Sequence, residues 1–148
     1  MEPLLVDTTE NPEMFFDLLP PDWREGIEPY WLEYRQSAHI LALLAGEEVL
    51  GGGIVFATVS PDALSYRELA QSWFDRGFLY IGFLYFSEKH RGRGLGSRWI
   101  TLLRQAFPGR KFWLTIDDRN LAPFYDRNGF DLVRQIDGPY GDEWLLAG

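Results

Sequence analysis

The chain has 148 residues, 46% of them hydrophobic and 16% aromatic, with no cysteine and a formal net charge of -8. That length and apolar content predict a single domain with its own core over residues 1–148, and the lack of thiols excludes a disulfide framework, a thiolate metal site and an acyl-cysteine intermediate. Residues 1–77 carry 14 acids and 4 bases, whereas residues 78–148 carry 8 acids and 10 bases, a division that suits an anionic ligand on the second half and a cationic partner on the first.

The overall acidity disfavours nucleic acid as a partner, because phosphate contacts demand a basic excess. No apolar stretch approaches the 18 or more residues of a membrane span, and the N-terminus lacks the basic and apolar regions of a signal peptide. The expectation is therefore a cytoplasmic protein with no membrane association. His39 and His90 lie far apart with no ligand pattern around them, so no metal site is expected.

Residues 4–9 read as a first strand. Asn11-Pro12 opens a helix through Leu19 with Asn11 as its cap, and Pro20-Pro21 ends it. Residues 27–36 read as a second helix with Ile27, Tyr30, Trp31 and Tyr34 on one stripe. Residues 39–45 and 49–59 form an antiparallel hairpin. Gly51, Gly52 and Gly53 in its second arm imply a bulge or a close backbone approach, and no ligand is assigned to them. Residues 61–76 are helical by pattern, with packing over the sheet the expected role.

The run Phe78-Leu-Tyr-Ile-Gly-Phe-Leu-Tyr-Phe86 reads as a central strand about 30 Å long, covered on both faces. It leads into Arg91-Gly-Arg-Gly-Leu-Gly-Ser97 and an amphipathic helix whose apolar face is Leu95, Trp99, Leu102, Leu103 and Ala106. The glycines at 92, 94 and 96 let free N-H groups at the helix start converge on an anion, with Arg91 and Arg93 adding charge. The bland alternative is a tight strand-to-helix turn. Neither GxxxxGK[ST] nor the GxGxxG spacing of a dinucleotide fold is present. Residues 111–116 form the next buried strand, parallel to the central one. Asp118 or Asn120 caps a short helix carrying Pro123, Asn128-Gly129 ends it, and residues 130–136 and 143–146 make a last hairpin.

Arg91-x-x-Gly94-x-Gly96 after an apolar strand, followed by Ala122-Pro-Phe-Tyr-Asp-Arg-Asn-Gly-Phe130, resembles the GCN5-related N-acetyltransferase (GNAT) family over essentially the whole chain. The resemblance implies an α+β fold: a mixed, mostly antiparallel sheet of six to seven strands with a splayed parallel central pair, flanked by helices. It implies acetyl-CoA as cosubstrate and direct acetyl transfer to a primary amine of a small molecule or peptide. Leu84, Tyr85 and Phe86 would pair through their backbone with the pantetheine arm. Arg91, Gly92, Arg93, Gly94, Leu95, Gly96 and Ser97 would hold the pyrophosphate, Asn120 would contact the cofactor, and Tyr125 would protonate the departing thiolate.

The general base stays open, because residues 78–86 contain no acid. Asp117, a water relay or a Glu from the second helix are the alternatives. Trp23, Tyr30, Trp31 and Tyr34 serve either as an aromatic wall for a cationic amine or as core. Two other readings keep the fold: an acyl-CoA-binding sensor that transfers nothing, and an interaction domain with an empty cleft. A homodimer is compatible with all three.

Overall fold

The computed structural model describes residues 2–148. Seven strands form one sheet: β1 (Leu4–Asp7), β2 (Ala38–Ala45), β3 (Glu48–Phe56), β4 (Leu79–Phe86), β5 (Phe112–Ile116), β6 (Asp131–Gly138) and β7 (Gly141–Ala147), in the order β1-β2-β3-β4-β5-β7-β6. Every neighbouring pair is antiparallel except β4 and β5. The parallel pair follows from chemistry legible in the chain. A helix connects the two strands, and a helical crossover returns the chain in the same direction.

Because side chains alternate along a strand, the sheet builds two cores. On one face Ile40, Ile54, Phe56, Tyr80, Trp113 and Leu145 meet Phe15, Phe16, Ile27 and Trp31 of the N-terminal segments and Ala70 and Trp73 of helix α4 (Arg67–Asp75). On the other, Leu43, Val55, Leu79, Ile81, Phe112 and Leu114 meet Trp99, Ile100 and Leu103 of helix α5 (Leu95–Ala106). Trp99 is wholly buried, and its indole N-H donates to the Leu41 carbonyl at 2.9 Å, which satisfies the one polar atom that burial would otherwise penalise.

The three strand glycines are close approaches. A side chain at Gly51 would collide with Phe86 and the Tyr85 carbonyl, one at Gly52 with the Leu41 carbonyl, and one at Gly53 with the Trp99 ring. Two register shifts accompany them, one opposite Leu43/Leu44 and one between Gly52 and Ile54.

The early helices are shorter than their pattern predicts. In place of residues 11–19 there is α1 (Glu13–Phe16), capped by Pro12 with no side-chain bond, so Asn11 is not the cap; its carbonyl accepts from Met14 N-H at 3.2 Å. The prolines start a further turn instead of only ending one: α2 is Pro21–Glu25, with proline in its first turn where a missing N-H costs nothing. Residues 27–36 break into a 3₁₀ turn, Glu28–Tyr30, and α3, Trp31–Tyr34. Ile27, at φ -134° and ψ -44°, is not helical, and the turn after it is 3₁₀ before α3 begins. Residues 61–76 likewise divide, into a 3₁₀ segment Pro61–Tyr66 and α4.

Candidate functional site

Pairing between β4 and β5 consists of Leu79 with Phe112 and Tyr80 with Trp113, and stops there, although both strands continue. Beyond Tyr80 the strands diverge, and Phe83 to Phe86 are half-buried where Leu79 to Gly82 are buried. On its other side β4 stays bonded to β3, but with one extra residue: Phe83 and Leu84 lie between the partners of Ile54 and Gly52. Phe83 is in the left-handed region, φ 55°, a conformation costing roughly 1–2 kcal/mol for a residue with a side chain. Such bulges re-aim the strand beyond them, here Leu84, Tyr85 and Phe86 at the mouth of the gap.

The glycine turn follows directly. Gly92 and Gly94 have φ of 83° and 70°, and an added Cβ at either would meet nothing within 4 Å, so both are glycine for conformation. Gly94 is the N-cap of α5, and the first helical bond runs from Arg98 N-H to its carbonyl at 3.0 Å. The N-H groups of Leu95, Gly96 and Ser97 precede that bond and are free by helix geometry. Residues 91–94 are exposed. Arg91 is partly committed: its Nε donates to the Phe86 carbonyl at 3.3 Å and its guanidinium lies 5.4 Å from the Tyr85 ring centroid.

Gly96 has a different reason. A Cβ there would stand 2.8 Å from Phe124 Cζ, so the glycine lets helix α6 (Ala122–Arg127) rest on the start of α5. Asn128 fastens the contact, its Nδ2 donating to Ser97 Oγ at 3.1 Å and to the Phe124 carbonyl at 2.8 Å. Tyr125 is thereby held in the second core, 9% exposed, with its ring edge-on to Phe124 and Phe130. Burial alone pushes its phenol up to about 12. Asp118, rather than Asn120, is the cap of the preceding turn, Arg119–Leu121, accepting from Asn120 N-H at 2.9 Å; Asn120 is exposed.

Opposite the α5 side, the divergence exposes a polar group that sequence reading missed. The Tyr80 hydroxyl donates to Asp62 Oδ2 at 2.6 Å, and the Tyr66 hydroxyl lies 3.4 Å from Thr115 Oγ1, two residues beyond the last paired residue of β5. Glu143 of β7 joins them, its carboxyl filling the space a side chain at Gly138 would take. Solvent reaches Asp62, yet protein surrounds it, and that desolvation holds its carboxyl above the usual carboxylate range. Desolvation, then the nearby Asp62 and Asp117, raise Glu143 likewise. Burial drives Tyr80 well up and takes Tyr66 to about 12. An acid in a Pro-Asp-Ala turn and a tyrosine in an apolar strand give no pairing signal, because nothing in the chain says that Pro61–Tyr66 folds back over the sheet.

The other candidates are placed elsewhere. Trp31 is core, edge-on to Phe16, and Tyr30 is exposed, so the four-residue aromatic wall is not assembled; Trp23 does reach the site, 5.6 Å from the Tyr85 ring. Among the early acids, Glu28 is paired with Arg24 at 2.8 Å. His90 is buried with Nε2 2.9 Å from Glu48 Oε2, which together with Lys89 lowers the Glu48 carboxyl. His39 pairs with Asp7 at 2.9 Å. Among the described residues no helix is long and apolar enough to cross a membrane, and no cluster of metal-ligating side chains occurs.

The family model for acetyltransferases of the GNAT family matches residues 8–130. No curated protein sequence matches the chain. Among solved structures, an aminoglycoside 6'-N-acetyltransferase complexed with coenzyme A superposes with a TM-score of 0.69 at 14% identity, covering 98% of this chain and 96% of its own. Aminoglycoside acetyltransferase AAC(6')-Ib in complex with coenzyme A and kanamycin gives 0.68 at 17% identity, over 99% and 94%. An Arabidopsis thaliana protein in complex with the bisubstrate analogue CoA-Ac-MVNAL gives 0.65 at 13% identity, over 100% and 99%. At these identities the likeness establishes the fold.

Proposed function

The chain belongs to the acetyltransferase (GNAT) family, and on that premise we propose that it moves an acetyl group from acetyl-CoA directly to a primary amine of a small molecule or peptide. The observation that carries the reading is the interrupted pair. β4 and β5 bond at two positions and then part, leaving the β5-facing backbone edge of Leu84, Tyr85 and Phe86 without a neighbouring strand. An extended pantetheine arm fits that edge as an added strand does. The turn beyond it supplies N-H groups at residues 92–97, with Arg91 and Arg93, for the pyrophosphate.

Tyr125 is the acid in this reading. With its phenol near 12 it stays protonated through the working range, and it yields its proton to the thiolate as the C-S bond breaks. The absence of cysteine leaves no acyl-enzyme to form on a thiol, which accords with direct attack within a ternary complex. Asn120, exposed on the turn before α6, is the further cofactor contact in this reading. No metal enters the scheme.

The test is calorimetric binding of acetyl-CoA together with thiol release across a panel of primary amines. Binding plus release with at least one amine supports the reading. Binding without release for any amine returns the sensor, and no binding returns the empty interaction domain.

A further inference from the structure

An alkylammonium of pKa about 10.4 is neutral in roughly one molecule in 2,500 at pH 7, and β4 has no acid to deprotonate it. We propose that Asp62, held by Tyr80, is the proton acceptor for the incoming amine, and that the acceptor is a primary alkylammonium seated between Asp62 and Glu143. The inference rests on the acetyl-transfer reading above and assigns the residue that reading lacks.

Position comes first. Tyr80 is the last β4 residue paired with β5, so its side chain stands at the fork of the gap. Its ring lies over Gly82, where a Cβ would come within 3.0 Å of Cε2, and its hydroxyl ends 2.6 Å from Asp62 Oδ2. That bond fixes the carboxyl beside the fork. Thr115 and Tyr66 close the β5 side, and Glu143 stands beside them.

Charge comes second. The groups that face Asp62 are Tyr34 of α3, Tyr66, Tyr80 and Glu143, with Asp117 acting on Glu143. No lysine or arginine pairs with Asp62 or Glu143 among the described residues. Two neighbouring carboxyls without a cation repel one another, and an ammonium between them relieves that repulsion. Ser60 Oγ, wholly buried, lies against the Asp62 carboxyl and has no other hydrogen-bond partner among the described residues. Holding Asp62 above the ordinary carboxylate range brings the base nearer the working pH, where proton acceptance is most effective.

The protons balance. The ammonium R-NH3+ gives one proton to the Asp62 carboxylate, and the neutral nitrogen forms the C-N bond to the thioester carbon. As the C-S bond breaks, the thiolate takes the proton of Tyr125 and the nitrogen's second proton restores the phenol. Asp62 passes its proton to solvent. The products are the acetamide, CoA-SH and one released proton.

The test compares wild type, Asp62→Asn and Tyr80→Phe by thiol release from acetyl-CoA with n-butylamine, spermidine, lysine amide and kanamycin, and by acetyl-CoA calorimetry. Asparagine keeps an oxygen for the Tyr80 hydroxyl. Asp62→Asn is expected to lower kcat/KM on the order of 100-fold to 1,000-fold with acetyl-CoA affinity unchanged, and to abolish the acid limb of the pH-rate profile. Because a raised acid weighs against the folded state as pH climbs through the carboxylate range, the variant unfolds at an equal or higher denaturant midpoint at neutral pH. A merely structural aspartate gives the reverse. Tyr80→Phe removes a bond that lowers the Asp62 carboxyl, so it shifts the acid limb upward, and this readout stands even where Asp62→Asn fails to fold. Undiminished kcat/KM in Asp62→Asn overturns the inference alone, as does a parallel loss of acetyl-CoA affinity. Wild type that binds no acetyl-CoA overturns this and the transfer reading together.

Discussion

Removing the Tyr125 hydroxyl separates its chemistry from its packing. The ring is fixed by edge contacts to Phe124 and Phe130 at 5.0 and 5.8 Å, and the backbone carbonyl accepts from Asn128 and Phe130 N-H, each at 3.0 Å. No described residue bonds the hydroxyl: desolvation is its whole perturbation. Tyr125→Phe therefore leaves folding stability within about 0.5 kcal/mol, where loss of a buried, bonded hydroxyl would cost about 1 kcal/mol. Turnover behaves otherwise. General acids contribute about 100-fold to 10,000-fold, but a phenol near 12 donating to a thiolate near 8.5 moves its proton uphill by about 3.5 units, or about 4.8 kcal/mol. The expected loss in kcat is accordingly at the low end, about 100-fold. Thiol release at saturating amine gives kcat, calorimetry gives the acetyl-CoA affinity, and urea unfolding gives stability. A kcat equal to wild type refutes the acid role, and a large stability loss refutes the account of the free hydroxyl.

Four further outcomes follow from the structure. Gly94→Ala meets no neighbour, so its cost is the left-handed backbone alone, about 1–2 kcal/mol in urea unfolding, with weakened acetyl-CoA binding wherever the turn relaxes. Gly96→Val instead drives into the Phe124 ring and displaces α6, costing about 1–3 kcal/mol and lowering kcat through Tyr125 more than it lowers acetyl-CoA affinity. Trp99→Phe removes the indole N-H that donates to the Leu41 carbonyl, and a loss of about 0.5–1.5 kcal/mol is expected for that hydrogen bond alone, read as a lower urea midpoint. Asp7→Asn tests a surface pair: desolvation opposes ionisation of the Asp7 carboxyl, but Thr9 and His39 together outweigh it and hold the folded value low, so the wild-type advantage is present above the unfolded pKa near 3.8 and fades as pH falls through the folded value. Half-exposed partners keep that advantage to a few tenths of a kcal/mol.

What the chain determined by itself was local. Strand, glycine turn and amphipathic helix follow one another in residues 78–107, and each is specified by neighbours a few positions away. Apolar runs set the strand, left-handed glycines set the turn, and a 3.6-residue stripe sets the helix. The parallel pair and the family resemblance rest on the same kind of signal. Where 3₁₀ geometry competes with a helical stripe, as in residues 27–36, the pattern overstated the helix because backbone conformation is decided residue by residue and the stripe over ten.

The acceptor side was decided only by the tertiary structure. Asp62 and Tyr80 are 18 residues apart, Tyr66 and Thr115 are 49 apart, and no periodicity joins them. They meet because the 3₁₀ segment Pro61–Tyr66 crosses back over the fork where β4 leaves β5, and the bulge at Phe83 turns the strand away just there. A strand free of acids thus acquires one from outside the sheet. Their environment is likewise a product of assembly, since desolvation depends on how much of the whole protein surrounds a carboxyl and not on the residues beside it in the chain.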